Sequence, residues 1–251
     1  MNILSIEDKS INDGKKFEIY TPLSSEETQV QLSEIFVAHH YGRGRIKKDM
    51  VIVDVGANIG MASYYFKDWA KVIYALEPSH QPYEALLKNL EPYPHIKPFN
   101  VGLANYESID ILISAENTNI PLSFFGKGKV QEQVVLTTLD KFMKQNSIEH
   151  VDLLKIDTEG AEYVILPSTG FMDVAHKIDY IIGEAHYVGD KLLPEFIPLI
   201  LADAGFETEW LPIENMTVTM SFDNKRTTKS YTLKKHTIFF AKRKELPWPK
   251  N

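Results

Sequence analysis

The stretch Val51–Gly60 (VIVDVGANIG) constrains the fold of this chain most strongly. Strand-forming residues run directly into a turn that contains Gly56 and Gly60. A helical pattern follows at once, because apolar residues recur three to four positions apart from Ile59 to Trp69. A buried parallel strand, a tight turn and a helix N-terminus form the unit that holds nucleotide-like ligands in open α/β sheets. We therefore predict a ligand-binding βα unit, in which the two glycines let the backbone approach the ligand.

The spacing of these glycines distinguishes this loop from those of two common classes of nucleotide-binding protein. The turn lacks the G-x-G-x-x-G of dinucleotide folds and the G-x-x-x-x-G-K-[ST] of P-loop proteins. An NAD-type oxidoreductase stays open as one alternative, since that class also places a carboxylate after the second strand. A non-catalytic scaffold module with the same fold is the other alternative.

Composition narrows the class of protein further. The 251 residues suit one α/β domain with a small addition, and we predict an N-terminal extension at 1–45 and the main domain at 46–251. The formal net charge of -7 argues against a nucleic-acid partner, whose phosphates require a basic face. The absence of cysteine excludes disulfides, thiolate metal sites and a cysteine nucleophile.

The first ten residues and the longest apolar runs give the expectations about location. Met1–Ser10 has no signal-peptide core, and no apolar run approaches the roughly 18 residues that a membrane span needs. We therefore expect no membrane span, and a soluble, cytoplasmic protein. The oligomeric state is not readable from the sequence.

Apolar runs and helical patterns alternate along the rest of the chain. The order predicts an α/β fold, a Rossmann-like doubly wound, mostly parallel sheet with an antiparallel C-terminal strand pair. Strands near 217–222 and 236–241 are expected to form that pair. The remaining predicted elements are a helix over 25–39, strands over 71–77, 96–101, 108–114, 134–140, 150–157 and 178–184, and a helix over 192–204.

Polar groups stand at the ends of four predicted strands. Parallel strands end at one edge of a sheet, so these groups are expected to converge there. Glu77 lies 23 residues after Asp54, close to the spacing at which a carboxylate binds ribose hydroxyls in dinucleotide folds. Its alternative role is a charge at a helix N-terminus. The four strand ends carry Asp54, Glu77, Asp157 with Glu159, and Glu184 with His186.

Four segments together resemble the FkbM-type methyltransferases. They are Val51–Gly60, Ala75–Pro78 (ALEP), Thr138–Asp140 (TLD) and Asp152–Glu162 (DLLKIDTEGAE), and the last is the most specific. The resemblance covers about residues 48–187. Other methyltransferases often have a third glycine where Asn58 stands, and Gly-Ala-Asn-x-Gly is similar to the FkbM-type pattern.

The resemblance implies an S-adenosylmethionine-dependent O-methyltransferase of the class I fold. It places the methionine part of the cofactor in the first loop (Asp54–Gly60), the ribose on Glu77 and the adenine beside Asn100. The implied cofactor-binding residues are Asp54, Gly56, Ala57, Asn58, Gly60, Glu77, Pro78, Asn100, Val101 and Asp157.

Methyl transfer to an alcohol requires alignment of the groups and removal of the hydroxyl proton. We expect His186 or Asp157 to take that proton, with Glu159 and Glu184 orienting substrate or base. A divalent metal on Asp157, Glu159 and His186 is possible but not required by the sequence, and no metal is predicted. Lys155 is more simply explained as part of a buried ion pair.

The acceptor is expected to be a small-molecule or glycan hydroxyl, on a sugar or a secondary metabolite. Tyr41, Arg43 and the polar segment 115–129 are candidates for a lid or substrate wall, because loops commonly carry specificity. No residue among them identifies the acceptor.

Overall fold

Strand β3 (Met50–Val55) lies in the interior of a seven-stranded sheet in the computed structural model. The structure describes residues 1–6, 17–24, 28, 31–37, 41–42, 47–114, 130–187, 194–211, 216–222, 225–231 and 238–249. The strands within these residues are β1 (Asn2–Ile6), β2 (Phe17–Thr21), β3, β4 (Ala70–Leu76), β5 (Ile96–Phe99), β6 (Gly102–Leu103), β7 (Ser108–Ser114), β8 (Val130–Thr137), β9 (Val151–Ile156), β10 (Ile178–Glu184), β11 (Phe206–Trp210), β12 (Met216–Phe222), β13 (Lys225–Tyr231) and β14 (Ile238–Arg243).

Short helices connect the strands of the main sheet. The described helices are α1 (Met61–Phe66), α2 (His80–Leu90), α3 (Leu139–Gln145), α4 (Glu162–Ile165), α5 (Thr169–Met172) and α6 (Phe196–Asp203), with a 3-10 turn at Ala175–Lys177 and a π-helical turn at Ser33–Val37. Of the helix predicted over 25–39, residues 25–27, 29–30 and 38–39 lie outside the described part. No helix in the described part is long and apolar enough to cross a bilayer.

The main sheet has the order β11-β14-β10-β9-β3-β4-β5. Strands β10, β9, β3, β4 and β5 pair in parallel, and β14 is antiparallel to both β10 and β11. Chain order reverses beside β3, whose neighbours are β4 and β9. This confirms the predicted fold class and places the switch point of the sheet at the loop after β3.

The predicted pairing of 217–222 with 236–241 is wrong. β12 instead pairs with β13, and β14 is inserted between β10 and β11. The physical reason is burial: Ile238, Phe239, Phe240 and Ala241 are all at most 1% exposed, which only an interior strand can provide. The antiparallel C-terminal pair of the main sheet is therefore β11 with β14.

Alternate residues of the central strands face opposite layers of the core. Ile52 belongs to the apolar cluster on one face, whereas Val53 and Val55 belong to the cluster on the other. Each such side chain stabilises the fold by about 1.5–3 kcal/mol relative to exposure. Helices α1 and α2 contribute buried residues to the first cluster and α3 and α6 to the second, so helices pack on both faces of the sheet.

Two smaller sheets accompany the main one. One has the order β13-β12-β1-β2 and the other the order β6-β8-β7. The first joins the N-terminal residues to the C-terminal part of the chain, since Ile6 is the register partner of Phe222. The proposed boundary at residue 45 is thus crossed by strand pairing.

Candidate functional site

The loop after β3 turns sharply because three of its residues adopt positive φ. Gly56 has φ 75°, Asn58 has φ 51° and Gly60 has φ 91°. A Cβ on Gly56 would lie 1.8 Å from the carbonyl oxygen of Asp157, and one on Gly60 would lie 2.8 Å from Leu90 Cδ1. Packing within the chain therefore requires glycine at position 56, where the obstacle is backbone, whereas at Gly60 the Leu90 side chain can move and the positive φ is the reason for glycine.

Asp54 and Lys155 form a buried ion pair beneath this loop. The Nζ atom of Lys155 lies 3.0 Å from Asp54 Oδ1, and Ser63 Oγ donates to Asp54 Oδ2 at 2.7 Å. Lys155 Nζ also donates to the carbonyl oxygen of Gly56 at 2.7 Å. Burial opposes the charge of Lys155, but the charges of Asp54 and Asp157 outweigh it and raise the pKa of Lys155. The chain itself thus supplies the cationic partner of Asp54.

Glu77 joins the ends of β3 and β4. Its Oε2 accepts a hydrogen bond of 2.8 Å from the backbone nitrogen of Asn58, and its Oε1 accepts one of 2.9 Å from that of Ser79. The side chain is 7% exposed. Burial, partly offset by these two hydrogen bonds, raises the pKa of Glu77 to about 7. The bond from Ser79 corresponds to the alternative role at a helix N-terminus, and it leaves further lone pairs on the carboxylate.

Asn100 braces the segment that follows Glu77. Its Nδ2 donates to the carbonyl oxygens of Glu77 at 3.0 Å and Pro78 at 2.8 Å. Val101 is partly buried and packs against the apolar cluster on one face of the sheet. The structure therefore brings the ends of β3, β4 and β5 together at one edge, as the sequence predicted.

An acidic wall lies at the ends of β9 and β10; it consists of Asp157, Glu159, Glu184 and the histidine His186. The His186 Nε2 atom is 3.8 Å from Asp157 Oδ1 and 3.6 Å from Glu159 Oε2. Glu159 has φ 55°, a conformation that side-chain-bearing residues rarely adopt and that often marks a functional site. The backbone nitrogen of Asp157 donates to the carbonyl oxygen of Val55 at 3.1 Å, which joins the wall to the first loop.

Glu162 supports the acidic wall from below. Its Oε1 lies 3.1 Å from His186 Nδ1 and accepts a hydrogen bond of 2.7 Å from the backbone nitrogen of Thr158. The side chain is completely buried. Tyr163 adds a hydrogen bond of 2.8 Å from its hydroxyl to the carbonyl oxygen of His186. The imidazole is therefore fixed in one orientation.

The charges of the acidic wall shift the protonation of its members. Burial raises the pKa of Glu159 to about 7, and the charge of His186 opposes this shift only in part. Burial and the charge of Asp157 likewise raise the pKa of Glu184. Burial alone would lower the pKa of His186, but Glu162 and the charges of Asp157 and Glu159 raise it to about 10. The imidazole thus carries a proton at neutral pH, which does not match the role of proton acceptor expected for it.

Two residues near the N-terminus reach the acidic wall. The hydroxyl of Tyr41 donates to Asp157 Oδ2 at 3.0 Å, and its ring is 4% exposed. Glu34 lies near Asp157 and Glu159, whose charges add to burial in raising its pKa to about 7. From the sequence, Tyr41 was predicted only as part of a lid or substrate wall, and Glu34 was not singled out. No local sequence pattern marks a contact between residues more than a hundred positions apart. Arg43 and the segment 115–129 lie outside the described residues.

Comparison with known proteins identifies relatives over most of the chain. The methyltransferase FkbM domain, as a sequence family, matches residues 54–208. The chain is 27% identical over 244 residues to Methyltransferase sdnD of Sordaria araneosa, which covers 77% of this chain and 89% of that protein. It is 26% identical over 178 residues to Methyltransferase 1 of Beauveria bassiana (strain ARSEF 2860), which covers 60% of this chain and 71% of that protein.

A solved structure shows the same fold. The precorrin-6y C5,15-methyltransferase of Geobacter metallireducens GS-15 superposes with a TM-score of 0.50 at 15% sequence identity. The alignment covers 95% of this chain and 97% of that chain. At this identity the similarity concerns the fold alone.

Proposed function

The chain belongs to the FkbM methyltransferase family, and from that premise we propose that it methylates a hydroxyl group of a small-molecule acceptor. Methyltransferase activity and S-adenosylmethionine as the cofactor follow from the family. The hydroxyl acceptor, on a sugar or a secondary metabolite, and the roles of the individual residues are the proposal.

The ribose of the cofactor is assigned to Glu77. This carboxylate stands at the carboxyl end of β4, beside the switch point, and two backbone N–H groups hold it in place. Each carboxylate oxygen can accept a second hydrogen bond, so both ribose hydroxyls have an acceptor. Asn100 fixes the same segment through its bonds to the carbonyl oxygens of Glu77 and Pro78, and Asn100 and Val101 would flank the adenine.

The first loop is assigned to the methionine part of the cofactor. The side-chain oxygen Oδ1 of Asn58 is buried and has no hydrogen-bond partner within the described chain, which fits a donor such as the cofactor's amino group. Ala57 and Gly60 complete the turn. Asp54 supports the loop indirectly. It is fully buried and pairs with Lys155, which donates a hydrogen bond to the carbonyl oxygen of Gly56.

We assign the acidic wall to the binding of the acceptor. The observation that supports this assignment is the clustering of three carboxylates beside the first loop. When bound, the cofactor would supply a sulfonium methyl group for transfer to the acceptor oxygen, and its sulfur would keep the electron pair of the C–S bond. Among the described residues no hydrogen bond reaches the Glu184 carboxylate, whose pKa is raised to about 8, so in its ionised form above that pH it takes the hydroxyl proton. Asp157, Glu159 and His186 position the acceptor.

Transfer of labelled methyl from S-adenosylmethionine to a panel of sugars, hydroxylated natural products and amines tests the acceptor class. We expect methyl ethers, identified by mass spectrometry, and a lower rate for Glu184→Gln at unchanged affinity for S-adenosylhomocysteine. Glu84→Gln, an exposed glutamate on α2, is the matched control. Products methylated only at nitrogen or carbon would overturn the hydroxyl assignment.

A further inference from the structure

Asn89 is a buried polar residue near the end of α2, and it joins two distant parts of the chain. Its Nδ2 atom donates to the carbonyl oxygen of Ile59 at 2.8 Å and to that of Tyr20 at 2.9 Å. Its Oδ1 accepts a hydrogen bond of 2.8 Å from the backbone nitrogen of Tyr20. The side chain is 4% exposed. The three partners fix the amide in one orientation, because its reversal would set Oδ1 against two carbonyl oxygens.

The carbonyl group of Ile59 belongs to the second half of the first loop. Residues of positive φ stand on both sides of it, Asn58 at 51° and Gly60 at 91°. The backbone nitrogen of Gly60 donates to the carbonyl oxygen of Ala57 at 2.8 Å. The peptide between Ile59 and Gly60 can therefore turn over only if this bond and the bond from Asn89 both break. Asn89 thus holds the loop in its left-handed turn from outside.

The other partner of Asn89 lies on an outer strand of a different sheet. Strand β2 is at the end of the sheet of order β13-β12-β1-β2, and both backbone polar groups of Tyr20 are taken by Asn89. The ammonium of Lys88 adds a contact, 5.2 Å from the ring centroid of Tyr20. Asn89 therefore completes the outer edge of β2 as a neighbouring strand would. This strand precedes residues 54–208, to which the family match extends.

We infer that Asn89 is a positioning residue for the cofactor, which orders the first loop before binding and makes that order depend on β2. This role rests on the proposed assignment of the first loop to the methionine part of the cofactor. The group it serves is Asn58, whose buried Oδ1 has no hydrogen-bond partner within the described chain. A loop that is already fixed in its binding conformation avoids the entropic cost of being ordered by the ligand.

Calorimetry with S-adenosylhomocysteine on the full chain and on Asn89→Asp tests this role. The aspartate has the same shape and can still accept from the nitrogen of Tyr20, but it donates to neither carbonyl group. We expect its affinity to fall about tenfold, because the buried carbonyl oxygen of Ile59 loses its partner. An Asn89 that served stability alone would lower the resistance to denaturant and leave the affinity of the folded chain unchanged.

Asn146→Asp is the matched control. Asn146 follows α3, and its Nδ2 likewise donates to a carbonyl oxygen, that of Phe142, at 2.9 Å. The same replacement there should leave affinity for S-adenosylhomocysteine unchanged. Both variants are measured below the temperature at which their circular dichroism begins to change, so that only folded chain is compared.

Hydrogen exchange of the wild-type chain gives a second measurement that needs no variant. The amide hydrogen of Tyr20 exchanges only when its bond to Asn89 opens. If opening weakens ligand binding, then saturating S-adenosylhomocysteine must slow that exchange by up to the same factor. Strand β13, at the opposite end of the same sheet, serves as the control and should exchange at an unchanged rate.

Three results would overturn the role of Asn89. They are unchanged affinity in folded Asn89→Asp, an equal loss of affinity in Asn146→Asp, and exchange at Tyr20 that S-adenosylhomocysteine does not slow relative to β13. The third decides the matter even if Asn89→Asp fails to fold. Glu77→Gln is titrated in parallel: weakened binding there with unchanged binding in Asn89→Asp removes only the role of Asn89. A wild-type chain that binds no S-adenosylhomocysteine removes the cofactor assignment and this role together.

Discussion

Lys155 on β9 and Asp54 on β3 are register partners, and the Nζ atom of Lys155 lies 3.0 Å from Oδ1 of Asp54 in the interior of the protein. Lys155 is 2% exposed and Asp54 is not exposed at all. The same ammonium binds the carbonyl oxygen of Gly56. The pair therefore connects the centre of the sheet to the turn that is assigned to the cofactor.

Lys155→Met should destabilise the fold by about 3–5 kcal/mol, because it leaves the carboxylate of Asp54 buried without a countercharge. The double variant Asp54→Asn with Lys155→Met should recover most of that loss, since no charge then remains. Denaturant unfolding measures both. A Lys155→Met chain as stable as the wild type would show that the ion pair does not govern stability.

Gly56→Ala should destabilise the fold far more than Gly205→Ala. Both positions have positive φ, at 75° and 90°, so both variants bear the backbone strain of about 1 kcal/mol. Only at Gly56 does the new Cβ meet the carbonyl oxygen of Asp157, at 1.8 Å, whereas nothing lies within 4 Å at Gly205. Thermal unfolding of the two variants side by side isolates the packing contribution. Equal losses would contradict it.

Glu77→Gln should weaken binding of S-adenosylhomocysteine by about 1.5–3 kcal/mol, the usual contribution of hydrogen bonds to a charged group. The amide also has one acceptor oxygen rather than two, so the bond from Asn58 or from Ser79 is lost. Calorimetry measures the affinity, with Glu84→Gln as control. Unchanged affinity in Glu77→Gln would remove its assignment to the ribose.

The pKa of Glu77 makes cofactor affinity depend on pH. Its folded-state pKa of about 7 lies above the ordinary 4.5, so this group contributes to stability fully below pH 4.5 and loses that contribution as pH rises to about 7. Ribose hydroxyls favour the ionised carboxylate, so affinity for S-adenosylhomocysteine should rise about tenfold from pH 6 to 8. Glu77→Gln should flatten that rise. Parallel pH profiles for wild type and variant would contradict the assignment.

Much of the fold was predictable because its central strands are apolar on both faces and end in acidic residues. Such runs at Val51–Val55 and Val151–Ile156 can only be interior strands. Strands β11 and β13 were missed, because FETEW and KRTTKSY contain few apolar residues and obtain their order from neighbouring strands. The pairing of β14 depends on burial across the whole sheet, which no local pattern records.

The candidate site was predictable as a set of strand ends but not as a set of contacts. Parallel topology alone brings Asp157 and His186 to one edge. It does not reveal that Lys155 forms an ion pair with Asp54, or that Tyr41 of the N-terminal segment donates a hydrogen bond to Asp157. These partners are about a hundred residues apart, and only packing of the complete core selects them.

A crystal structure of the chain with S-adenosylhomocysteine tests the central claim most directly. The account predicts the ribose hydroxyls on the carboxylate of Glu77, the amino acid part against the loop of Gly56 and Asn58, and the sulfur directed toward Asp157 and Glu159. A ligand bound elsewhere, or one whose ribose lies away from Glu77 with its sulfur turned from the acidic wall, would contradict it.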